Sequence, residues 1–197
     1  HGYTAAPWLD GERLYVAAGG RRGASVVCFD KRSGRILWRS QNDPAGYAAL
    51  SLAEVAGGRQ LLAFTAEALI GLEPETGTLL WRCPVRTSFG RHITTPRVAG
   101  NLVLASSHQA GLFAVRPPPT ASPPTMPLEP VWTSRVHAIN VAPFVVVGHH
   151  LYGLGPSRRL ICVDARTGER AWWRDQFTGA PLRNDWAGIL VAEDRLL

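Results

Sequence analysis

Lysine is almost missing from this 197-residue chain: Lys31 is the only one, and arginine carries the formal charge of +6. The arginines are scattered over the chain, and pairs such as Arg21-Arg22 and Arg158-Arg159 are the longest basic runs. Without a concentrated basic stripe there is no footprint for nucleic acid. The charge reads as a solvated surface that favours anionic partners at low salt. Long apolar runs are missing too, and none approaches the roughly eighteen residues that a membrane-crossing helix needs. Only three cysteines occur, Cys28, Cys83 and Cys162, with no CxxC and no adjacent pair. That leaves no paired-CxxC zinc site, and the redox compartment stays open. No stretch sustains a 3.6-residue apolar period for three turns, which removes the helical folds. Gly-x-Ser-x-Gly, Walker and His-Glu-x-x-His patterns are also lacking, and with them the chemistries those motifs carry.

What the chain does have is a repeat. In Asp30 to Trp38, Glu73 to Trp81 and Asp164 to Trp172, an acid, a glycine and a tryptophan follow one another at intervals of four: Asp30-Gly34-Trp38, Glu73-Gly77-Trp81 and Asp164-Gly168-Trp172. Each set follows an aliphatic run, and each glycine falls where a turn needs a positive φ. The unit is therefore strand, tight turn, strand, with tryptophan near the end of the last strand. Repetition of the acids at a turn is explained by turn chemistry, not by metal binding. Cys28 and Cys162 share one repeat position, two before the acid, and read as small buried core residues several repeats apart.

A fourth copy is interrupted. Gly111 to Arg116 matches the strand before the turn and Val131-Trp132 the strand after it, with the proline-rich insertion 117–130 between them. Proline cannot donate to a ladder, so this insertion is expected to be an extended, exposed loop. The acid position falls at residues 30, 73, 116 and 164, a period in the forties, which is that of a propeller blade. The sequence thus predicts an all-β partial β-propeller of about four four-stranded antiparallel blades, at approximately 1–44, 45–90, 91–136 and 137–182. The start of a fifth blade follows at 183–197. A chain that begins at His1 without methionine and stops within an apolar strand is expected to be a piece of a longer ring, prone to self-association when expressed alone.

The acid-x-x-x-Gly-x-x-x-Trp pattern after an aliphatic strand resembles the tryptophan-docking motif of the pyrroloquinoline-quinone (PQQ) repeat family. That family includes quinoprotein alcohol dehydrogenases and the propeller lipoprotein of the outer-membrane β-barrel assembly machinery. The resemblance covers the whole chain, and it implies that each indole stacks on a glycine peptide of a neighbouring blade and donates to a backbone carbonyl. It also implies a periplasmic or secreted location.

Repeat rings carry function in the loops that enter each innermost strand. Those loops supply the candidate ligand-binding residues: Tyr47, Arg91, His92, His137, Asn140, Asn184, Asp185 and Trp186. Arg91 could clamp a carboxylate, His92 and His137 could exchange protons, and Tyr47 or Trp186 could stack on a planar ring. The adjacent His149-His150 pair reads as a solvent-facing turn and a poor metal pair. The enzymatic version of the resemblance implies PQQ with calcium, with Asp185 as base and Asn184 as calcium ligand. The adjacent cysteine pair that many quinoprotein dehydrogenases place against the quinone is missing, however, and no Glu, Asn and Asp set can be matched. The leading expectation is therefore a non-catalytic binding or assembly scaffold with no cofactor. Its partners are the remaining blades of the propeller and a protein. A PQQ-dependent alcohol or aldose dehydrogenase is the alternative.

Overall fold

The computed structural model describes residues 5–20, 22–119, 127–175, 189, 191–192 and 195–196. The first sheet holds β1 (Trp8–Asp10), β2 (Arg13–Gly20), β3 (Ala24–Asp30) and β4 (Ile36–Ser40). The second holds β5 (Ser51–Val55), β6 (Gly58–Phe64), β7 (Ala68–Leu72) and β8 (Leu79–Pro84). The third comprises β9 (Arg97–Ala99), β10 (Leu102–Ser107), β11 (Gly111–Val115) and β12 (Trp132–Ser134), and the fourth β13 (Val145–Val147), β14 (His150–Leu154), β15 (Leu160–Asp164) and β16 (Arg170–Arg174). Each is an antiparallel meander in chain order, and a two-stranded ladder, β17 (Val191–Ala192) with β18 (Arg195–Leu196), follows. Among the described residues the only helical pieces are 3-10 turns at Arg135–His137 and Pro156–Arg158. This is the expected all-β partial propeller.

The four tryptophans take equivalent places. Trp38 pairs with Cys28, Trp81 with Gly71, Trp132 with Ala114 and Trp172 with Cys162, each on the last strand of its sheet. A small partner leaves room for the indole above the neighbouring strand. In the first, second and fourth sheets the register shifts just past this pair, at Cys28/Phe29, Gly71/Leu72 and Cys162/Val163. The bulge feeds a turn in which the glycine N–H donates to the acid's carbonyl, from Gly34 to Asp30 at 2.9 Å and from Gly77 to Glu73 and Gly168 to Asp164 at 2.8 Å. The three glycines have φ of +69°, +73° and +76°. The Asp30 side chain accepts from the N–H and hydroxyl of Ser33, both at 2.7 Å, and these bonds hold its carboxyl below the usual range. Asp164 is held low by Arg166 through side-chain and backbone bonds.

The apolar core lies between successive sheets. Tyr15, Val26, Cys28 and Trp38 pack on Leu50, Leu61, Ile70 and Leu72 between the first and second. Leu62, Phe64, Leu69 and Trp81 meet Val103, Ala105, Phe113 and Val115 between the second and third. Leu104, Leu112 and Ala114 meet Phe144, Leu151, Ile161 and Val163 between the third and fourth. Each sheet is stabilised by its neighbours, as in any linear repeat. All three cysteines are free and buried, Cys28 and Cys162 as their shared repeat position suggested.

Two of the indoles span such an interface. The Trp38 N–H donates to the Pro74 carbonyl at 3.0 Å with its ring over Gly77. The Trp132 N–H donates to the Ala165 carbonyl at 3.0 Å with its ring over Gly168. Trp81 differs, because the third sheet has the insertion where the glycine turn would be. Its N–H donates to Gln60 Oε1 of its own sheet at 2.7 Å, and its ring covers Gly71. The returning end of the insertion fills the place: Leu128 N–H donates to the Arg82 carbonyl at 2.7 Å, and Leu128 packs on the core that contains Trp81. Pro117 is buried and Leu128 half-buried. Pro117 and Leu128 are thus packed where the sequence suggested an exposed loop, because an apolar gap beside Trp81 has to be covered, while Pro119, Pro127 and Glu129 are exposed as expected.

Candidate functional site

In a four-stranded meander, the turn between the second and third strands lies at the same end as the link to the next sheet. Hydrogen bonds show the two sets of loops meeting at that rim. Gly23 N–H donates to Asn42 Oδ1 at 2.7 Å, Ala66 N–H to the Pro44 carbonyl at 3.0 Å and Val85 N–H to the Glu67 carbonyl at 2.8 Å. Tyr47 N–H donates to the His92 carbonyl at 2.8 Å, joining successive links. Ser106 Oγ, which accepts from Ile139 N–H at 2.8 Å, ties the third sheet to the fourth.

Within this rim the candidates separate. His92 is fully buried, stacked on Phe64 with ring centroids 4.1 Å apart. Neither ring nitrogen has a hydrogen bond of good geometry among the described residues. Burial lowers its pKa to about 4, against a smaller opposing pull from the Val85 and Ala66 backbone. It is a neutral packing residue and does not face solvent. His137 is also buried and its pKa lowered, by desolvation first and then by Arg170. Tyr47 is half-buried beside Gly46, whose position leaves no space for a side chain because a Cβ would lie 2.4 Å from the Phe64 carbonyl. Arg91 is exposed, with its guanidinium 4.9 Å above the Phe89 ring. Asn140 is exposed and lines an open hollow of about 190 Å³ with His108, Arg135, Ala138, Leu154, Gly155 and Pro156. Asn184, Asp185 and Trp186 lie outside the described residues.

The strongest polar feature of the rim escaped the sequence reading. Asp43, buried in the link before β5, accepts a fork from Arg82 of β8, Nη1 to Oδ2 at 2.8 Å and Nη2 to Oδ1 at 3.0 Å. Thr65 Oγ1 donates to the same carboxylate at 2.6 Å, and Ser25 Oγ donates to the Asp43 carbonyl at 2.5 Å. This is a fixed, satisfied network that clamps the first two sheets together. His108 was also missed, although strand parity alone places the β10–β11 turn at the rim.

Among the described residues the rim acids Asp43, Glu67 and Asp175 each lie beside an arginine. Among the described residues no group of three His, Cys, Asp or Glu side chains is arranged to hold a metal. No helix among them is long and apolar enough to cross a membrane.

Several solved structures share this architecture. BamB from Moraxella catarrhalis superposes with a TM-score of 0.64 at 21% identity, over 98% of this chain and 57% of that one. The computationally designed Ika8 protein gives 0.60 at 12% identity, over 96% and 53%. Quinohemoprotein alcohol dehydrogenase from Comamonas testosteroni gives 0.51 at 14%, over 89% and 35%. The chain thus spans little more than half the length of the first of these, and identities so low carry the fold alone. No curated protein matches the sequence. The family model described as outer membrane protein assembly factor BamB matches residues 2–174, and on that extent of agreement the chain belongs to this family.

Proposed function

We propose that this chain is a non-catalytic segment of a periplasmic binding or protein-assembly scaffold that works beside the outer membrane, with the remaining blades of its propeller and a protein as its partners. The observation that carries this reading is the structural employment of two buried rim groups that could otherwise act as bases, Asp43 and His92. Asp43 is locked to Arg82 and Thr65, and His92 is sealed against Phe64 in its neutral form. A general base must reach a substrate proton, and neither group does. The family match supports assembly as the broader role.

PQQ with calcium belongs to the alternative reading, an alcohol or aldose dehydrogenase. A calcium site needs several convergent oxygen donors. The described rim acids are instead beside arginines: Asp43 bonds Arg82, Asp175 bonds Arg159 and Glu67 lies 3.9 Å from Arg82. The described residues do not fit the group, so no reaction step is derived through it.

The deciding experiment adds PQQ and calcium to the full-length protein and assays alcohol and aldose oxidation. No turnover above background is expected, and turnover that requires both additions overturns the proposal. Affinity capture from solubilised outer membranes tests the positive half. Recovery of an outer-membrane assembly protein is expected, and capture with no outer-membrane partner counts against the assembly role.

A further inference from the structure

The two ends of the sheets differ in charge. At the turn end, the carboxylates of Asp10, Glu12, Asp30, Glu73, Asp164 and Glu169 sit in or beside the hairpin loops. At the rim end the described acids are Asp43, Glu67 and Asp175, each beside an arginine. The exposed rim arginines Arg86, Arg91 and Arg135 have no carboxylate partner among the described residues. The rim is therefore a cationic surface.

That surface includes a hollow. The hollow between the third and fourth sheets has Arg135, His108 and Asn140 around it, no acid in its lining, and apolar walls from Ala138, Leu154 and Pro156. Arg135 offers a planar fork of donors, which fits a carboxylate, and Asn140 adds an amide donor. No Phe, Tyr or Trp lines the hollow and His108 is its one small ring, so it lacks the run of large stacking faces that single-stranded nucleic acids use. Volume and lining suit one acidic side chain with the aliphatic part of its neighbour.

We propose that this hollow is a carboxylate-binding site for an acidic, partly apolar peptide segment of a protein partner, with Arg135 as the anchor and His108 and Asn140 beside it. The proposal rests on the scaffold reading and gives it a site and a partner chemistry. Loss of an anchoring charge-assisted bond weakens binding by about tenfold or more.

The test is fluorescence anisotropy with the full-length protein and a labelled peptide in which glutamates alternate with leucines. A glutamine-for-glutamate peptide and a single-stranded oligonucleotide of equal length are the comparators, at low and at about 0.15 M salt. The expected result is preference for the acidic peptide by about tenfold over its glutamine version, a similar loss in Arg135→Ala, partial retention in Arg135→Lys and no change in Arg32→Ala at the turn end. Arg135 is exposed, so an unchanged melting curve shows that its variant is folded. Equal binding of the glutamine peptide, tighter binding of the oligonucleotide, or an equal loss in Arg32→Ala overturns the site. Those failures leave the scaffold reading standing, which falls only to cofactor-dependent turnover or to capture without an outer-membrane partner.

Discussion

Gly77 lies directly beneath the indole of Trp38, so close that a Cβ on the glycine would come within 2.5 Å of Cε3. The same indole donates to the Pro74 carbonyl at 3.0 Å. One side chain thereby fixes both the spacing and the register of the first two sheets. Gly34 serves the same turn in the first sheet at φ +69° but has nothing within 4 Å of its absent Cβ.

This contrast separates backbone strain from packing. Gly34→Ala is expected to destabilise by about 1 kcal/mol, the penalty of a left-handed alanine. Gly77→Ala adds the collision with Trp38 and should lose a further ~1–3 kcal/mol, as should Gly168→Ala under Trp132. Urea denaturation of the three variants checks the order; equal losses would show that the indole contact is unimportant.

The second sheet makes a different prediction, because Trp81 is satisfied within it. Trp81→Phe removes the buried bond to Gln60 and is expected to lower stability by about 1–3 kcal/mol. Gly71→Ala, whose Cβ would meet Trp81 Nε1 at 2.2 Å, should be more damaging still, although its φ is not in the left-handed region. Thermal melting of both variants is the measurement.

Buried Asp43 and half-buried Arg82 form a pair in which each group depends on the other. Asp43→Ala strands the guanidinium and is expected to lose about 3 kcal/mol, whereas the double variant with Arg82→Ala should recover part of that loss. A double-mutant cycle in urea measures the coupling, and simple additivity would contradict it.

The buried histidine sets a pH dependence. His92 in the folded chain has its pKa lowered to about 4 from an ordinary 6.5, so between those values the unfolded chain binds the extra proton. Stability therefore rises with pH across this window, is complete above it, and is lost as pH falls from 6.5 towards 4. The contribution is on the order of 3 kcal/mol. His137, also lowered, acts in the same direction. Replacing His92 with Phe should flatten the slope while leaving the smaller part due to His137; an unchanged slope in urea titrations from pH 4 to 7 would exclude His92 as its source.

The all-β architecture, the four sheets and the turns were legible in the sequence, because a local pattern dictates them. A glycine at positive φ closes the last hairpin of the first, second and fourth sheets whatever surrounds it, and a tryptophan at a fixed distance then lands on a fixed strand position. Charge composition likewise announced an arginine-rich surface. Tertiary structure alone decided what each indole touches: Trp38 and Trp132 reach the next sheet, while Trp81 turns to Gln60 because its neighbour has no glycine to receive it. Tertiary structure also removed His92 from solvent and joined Asp43 to Arg82 across 39 positions. Burial and long-range pairing depend on which segments become neighbours in space, and a one-dimensional pattern contains no such information until the sheets are stacked.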